Sequence, residues 1–160
     1  QHSFYVAKKI QKTFLFLLII INCNFIDNND KTSFKQTGSE EILIEIMESY
    51  KDFSAEPEKA IKTIWSHAHE DNKAVTGPIE RFGVMLTSEP YNAIINLTDY
   101  SFEVLQEDDQ TIQYEIKILN NKNEYFIVNW IFTLDKCEMN EGLCWQTISV
   151  SPPMYFDSGI

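Results

Sequence analysis

Two histidines two residues apart, followed at once by two acids, stand in the stretch "WSHAHEDN": His67, His69, Glu70 and Asp71. A carboxylate can orient an imidazole and favour its charged form, so with Glu70 and Asp71 adjacent to the histidines a general acid–base dyad is one reading. The other is structural, because histidines at a helix end complement the negative end of the helix dipole. Metal binding is not expected: positions two apart on a helix fall on different faces and make no ligand pair. Arg81 is the only arginine of the chain. Its planar, permanently charged fork either grips an anionic ligand or braces its own loop, for instance by pairing with Asp71. Tyr91 would stand with His67, Asp71 and Arg81 at the mouth of a pocket. Trp65 and Tyr114, with Trp130, Trp145 and Phe102, either line such a pocket or fill the core, the usual place for aromatic side chains at these spacings.

Three cysteines are present. Cys137 and Cys144 flank "EMNEGL"; with a turn centred on Asn140 and Glu141 they would lie directly opposite each other on a hairpin, close enough for a disulfide. Zinc is not expected there, since no third or fourth ligand lies near in sequence. Cys23 reads as apolar filling. "NLT" at 96–98 matches a glycosylation acceptor, a pattern that also arises often by chance. The chain carries no phosphate-binding loop, no G-x-S-x-G and no ferredoxin-type cysteine run, so no cofactor is expected.

These residues need a scaffold, and composition says what kind. With 160 residues and 44% hydrophobic content the chain suits one packed domain with a tail. The formal charge is −11, and residues 31–160 hold 10 basic against 22 acidic side chains, so this body repels phosphate backbones and nucleic acid is excluded as a partner.

Residues 1–38 form an N-terminal apolar anchor segment and polar linker. Lys8, Lys9 and Lys12 precede eight unbroken apolar residues from Phe14 to Ile21. This is the layout of a secretory or organelle-targeting segment, here expected to persist in the mature chain. As a helix, residues 14–26 would reach roughly 20 Å against a hydrocarbon core of about 30 Å. Residues 13–26 are therefore expected to make membrane contact beside a partner that covers what lipid does not. Residues 27–39, polar and turn-rich, read as linker.

The folded body is expected over 39–151, followed by a tail at 152–160. Helices are predicted over 39–52, capped by Thr37 or Ser39, and from Pro57, capped by Ser54. "EDNKAVTGP" reads as a loop whose glycine permits an unusual backbone angle. Pro78 opens a third helix, and Pro90 a short fourth through Ile95. The period then changes to two, predicting strands at 100–106, 111–119, 124–134 and 144–150. In the second, Ile112, Tyr114, Ile116 and Ile118 share one face. The third is apolar on both faces, as a central strand is. Helices followed by an antiparallel meander give an α+β fold: N-terminal helices packed on a curved antiparallel four-stranded sheet.

The order Asn72, Thr76-Gly77-Pro78, Arg81-Phe82, Pro90-Tyr91, strand meander, Cys144-Trp145 resembles an uncharacterised domain family of plants, algae and bacteria. That family lies in the nuclear-transport-factor-2-like, or cystatin-like cone, superfamily, and the match covers roughly residues 42–150. The resemblance implies a cone in which helices pack into the concave side of a bent sheet and leave a pocket. It carries over no catalytic residues, since the superfamily includes isomerases and dehydratases using Asp, His and Tyr as well as proteins that only bind partners. The expected function is a non-catalytic accessory or scaffold subunit of an organellar membrane complex, photosynthetic or respiratory, in a chloroplast (thylakoid) or mitochondrion. The alternative is a small-molecule binder or an isomerase/dehydratase-like enzyme using the pocket.

Overall fold

The period-two alternation that marks residues 111–119 builds the centre of the molecule. The computed structural model describes residues 30–137 and 140–157. The apolar segment 13–26, and the membrane contact expected of it, lie outside those residues. Helices α1 (Asp30–Lys51), α2 (Pro57–Ser66), α3 (Glu70–Thr76) and α4 (Ile79–Leu86) and a 3-10 turn (Tyr91–Ile94) come first. The strands β1 (Asp99–Glu107), β2 (Thr111–Leu119), β3 (Tyr125–Cys137), β4 (Asn140–Val150) and β5 (Met154–Tyr155) follow. The order across the open sheet is β1-β2-β3-β4, every pairing antiparallel, with β5 joining β3. The α+β class expected from the sequence is what the chain adopts.

One sheet face carries the core. On β2, Ile112, Tyr114, Ile116 and Ile118 are wholly buried, and their partners on β3 include Phe132, Trp130 and Val128. Leu43, Ile46, Met47 and Tyr50 of α1 recur at helical spacing and are buried in the same cluster. The Tyr50 ring meets Trp130 edge-on at 6.5 Å, which fixes α1 over the inner face. Each such fully buried side chain contributes about 1.5–3 kcal/mol. The α1 stripe is therefore a main source of the helix–sheet bond.

Several local expectations are corrected. α1 begins at Asp30, so the stretch read as linker is helical from there on. Ser54 does not cap α2; Glu56 holds that position, with Pro57 at the first turn as expected. Ser54 instead pairs with Asn96, whose Oδ1 accepts from the Ser54 N–H at 2.9 Å and whose Nδ2 donates to Ser54 Oγ at 2.6 Å. Residues 70–76 form α3 rather than a loop, because the His69 side chain accepts from the Asp71 N–H and supplies the cap. Gly77 has φ −78°, an ordinary value, so no unusual angle requires glycine there. Space does: a Cβ at Gly77 would sit 2.6 Å from the Lys73 carbonyl oxygen and 2.7 Å from the Trp65 ring. The expected C-terminal tail holds β5, where Met154 and Tyr155 pair with Ile127 and Phe126, making the sheet five-stranded rather than four-stranded.

Candidate functional site

Past the end of α2 the chain runs along β4 before α3 begins. Ala68 forms a parallel bridge with Thr147; the His69 N–H donates to Thr147 O at 2.8 Å and the Thr147 N–H to His67 O at 2.7 Å. This short splice sets where both imidazoles go. His67 Nε2 lies 2.9 Å from Glu45 Oε2 of α1, and His69 Nε2 lies 3.0 Å from Asp135 Oδ2 of β3. Asp71 touches His69, not His67: its backbone N–H donates to His69 Nδ1 at 3.1 Å. In place of a dyad with the adjacent Glu70 or Asp71, each histidine ring is thus paired with a carboxylate from a distant element. The His69 hydrogen bond, then the Lys136 N–H, hold the Asp135 carboxyl below its usual range. His69 stands at the N-terminus of α3, where it accepts a hydrogen bond rather than complementing a helix C-terminus.

The remaining expected pocket residues do not converge. Arg81 is exposed, and its Nη1 reaches the Gly77 carbonyl oxygen at 3.5 Å, one helical turn back, rather than Asp71. Trp65 packs on Phe82, ring centroids 5.1 Å apart, with Lys73 Nζ 5.7 Å from the ring centre. Tyr91 opens the 3-10 turn and is half-buried beside Tyr50, whose hydroxyl burial pushes far up, with Tyr91 adding to the effect. Tyr114 is wholly buried; its hydroxyl shares a 2.7 Å hydrogen bond with Ser39 Oγ, and burial pushes it up to about 12. Trp130 donates from Nε1 to Thr147 Oγ1 at 2.9 Å, and Trp145 is buried. Tyr114, Trp130 and Trp145 belong to the core, and Trp65 packs against it.

Cys137 and Cys144 are joined, with Cα atoms 5.8 Å apart. They are not directly opposite: Cys144 faces Asp135 and Cys137 faces Asn140, because the register shifts between Lys136 and Cys137. Asn96, the acceptor of the "NLT" match, has its amide engaged by Ser54 on both sides.

A concavity that spacing arguments missed lies between α1 and α2. It encloses about 220 Å³ and is lined by Glu45, Glu48, Ser49, Asp52, Glu56 and Lys59, among others. Glu48 accepts from the Tyr100 hydroxyl at 3.0 Å, Glu45 meets His67 at the same wall, and Lys59 pairs with Glu56 at 2.9 Å. The signal was present, since positions 45, 48 and 52 recur at three and four residues and so share one helix face. Among the described residues no group of three or more His, Cys, Asp or Glu is arranged to hold a metal, and no helix is long and apolar enough to cross a membrane. No family model, curated protein or solved structure matches the chain.

Proposed function

We propose that this chain is a non-catalytic accessory subunit of an organellar membrane complex, binding its partners through the α+β body and the N-terminal apolar segment. One observation carries the reading: the side chains suited to acid–base work are used to fasten elements together. His67 ties α2's end to α1, His69 ties α3 to β3, and the Tyr114 hydroxyl ties β2 to α1. Catalysis needs such groups aimed at one place where a substrate sits. Here they are dispersed, and the α1–α2 concavity is walled by carboxylates. A surface of that kind suits a basic segment of a partner protein, for which charge complementarity chiefly raises the rate of encounter.

The order of helices followed by an antiparallel meander supports assignment to the cone-shaped, nuclear-transport-factor-2-like superfamily, together with the Thr76-Gly77-Pro78, Arg81-Phe82 and Pro90-Tyr91 pairs. The lysine-led apolar run from Phe14 to Ile21 supports attachment at a thylakoid or mitochondrial membrane. The test is the size of the native assembly in mild detergent. The full chain is expected in a complex much larger than a monomer, and Glu48→Lys with Asp52→Lys is expected to release it while leaving the far-ultraviolet spectrum unchanged. Recovery of the unaltered chain as a free monomer from native fractions, or turnover in a small-molecule panel that His67→Ala abolishes, refutes the reading.

A further inference from the structure

His69 makes two hydrogen bonds that together define its state. A backbone N–H can only donate, so the 3.1 Å bond from Asp71 N requires a bare lone pair on Nδ1. The ring proton is then on Nε2, where it donates to Asp135 Oδ2 at 3.0 Å. The imidazole is neutral, in one tautomer, and locked between α3 and β3. Its side chain is only 13% exposed, whereas its partners Asp135 and Asp71 are open to solvent.

Protonation breaks this arrangement at one end only. The new Nδ1–H cannot accept from the Asp71 amide, and donor would face donor. Another acceptor waits nearby: the Asp71 carboxylate Oδ2 lies 3.7 Å from Nδ1. The other charges around the ring favour the exchange. Asp135 and Asp71 are its immediate neighbours, Glu70 on α3 is engaged by Lys73 at 3.1 Å, and Lys136 follows Asp135 on β3. From β4 the uncharged Thr147 approaches through its backbone. We propose that His69 is a proton-operated cap. Neutral, it holds the first turn of α3 through the Asp71 amide; protonated, it releases that amide and takes the Asp71 carboxylate instead, while the Asp135 bond persists.

The exchange makes α3 a pH-responsive element of the surface. The helix has seven residues, it docks on β4 through Asn72 Nδ2 to Ile148 O at 3.1 Å, and it displays Val75 at 71% exposure.

Two measurements on the full chain test it. Long-range nitrogen–proton correlation spectra report the His69 tautomer, and amide hydrogen exchange, corrected for its intrinsic pH dependence, reports the Asp71 N–H. Expected at pH 8 are a protonated Nε2, a bare Nδ1 and a protected Asp71 amide; as His69 titrates, that protection falls by about fivefold, the effect of losing one N-cap. His69→Asn supplies a cap that does not titrate, so its Asp71 amide should show equal protection at both ends of the range. A His69 ring protonated on Nδ1 at pH 8, or an Asp71 amide equally protected before and after the titration of His69 in the unaltered chain, overturns the proposal. The second measurement decides even where the variant fails to fold.

Discussion

Replacing Gly77 by alanine tests the packing that joins α3 to α4. The added methyl would lie 2.6 Å from the Lys73 carbonyl oxygen and 2.7 Å from Cη2 of Trp65, both closer than real side-chain contacts allow. Neither neighbour is free to retreat. The Lys73 oxygen accepts from the Gly77 N–H itself at 2.7 Å, and Trp65 is held against Phe82 with Lys73 over its face. Overpacking of this kind costs about 1–3 kcal/mol. One effect opposes it: with φ −78° and ψ 175° the backbone suits alanine, and the stiffer unfolded chain returns about 0.4–1 kcal/mol. A net loss of about 1–2 kcal/mol remains, which at a urea slope of about 2 kcal/mol/M lowers the midpoint by roughly 0.5–1 M. Adding Trp65→Leu removes one of the two clashes, so the double variant should be more stable than the sum of the single changes by about 1 kcal/mol. A Gly77→Ala midpoint equal to or above that of the unaltered chain refutes the claim that space, rather than backbone angle, requires glycine here.

Tyr114→Phe keeps the ring against Phe102 and Phe132 but removes the buried bond to Ser39, so it should lower stability by about 1–2 kcal/mol in urea titration; an unchanged midpoint would show that bond to be idle. At high pH three phenols resist ionisation: the partly buried Tyr100 and the buried Tyr114 stand at about 12 and Tyr50 is raised further, all chiefly through desolvation, against about 10 in an unfolded chain. Raised values mean that their contribution is intact below pH 10 and is lost as pH climbs toward 12, so phenolate absorbance should rise together with unfolding in that window rather than before it. Asp135 has the opposite sign: its lowered value gives stability present above about pH 4 and lost as pH falls further, a loss that Asp135→Asn should remove from the acid melting profile. Cys144→Ser opens a loop closed across a sequence separation of seven and should cost at most about 2–3 kcal/mol, measured against the unreduced chain whose intact mass is two hydrogens lighter than after reduction.

β2 was legible because burial along it alternates strictly. Along β2 every second residue from Ile112 to Ile118 is buried, and that period is printed in the residue types themselves. α2 and α4 were legible for the analogous reason, each with a proline at its start and an apolar stripe. α3 was not, since its only local marks are polar residues and a glycine that also suit a loop. What makes it a helix is a cap supplied by a histidine, and that histidine is held by an aspartate 66 positions away. β5 is two residues long and exists because β3 leaves an edge beyond β4, a fact of register that no window of sequence contains.

The same physics explains why the expected site did not assemble. Spacing arguments assign a histidine the acids beside it, yet Glu70 faces Lys73 and Asp71 offers its backbone, while the working partners lie 22 and 66 positions distant. A local acidic cluster after a histidine is therefore compatible with a helix start as readily as with a catalytic pair, and the two differ in what the acid presents. A helix start uses the backbone N–H; a catalytic pair uses the carboxylate. In this chain both forms are within reach of one ring, at 3.1 Å and 3.7 Å from Nδ1. The protonation state of that ring selects between them, so the residue that defeated the sequence reading of α3 is also the one through which the fold can respond to its surroundings.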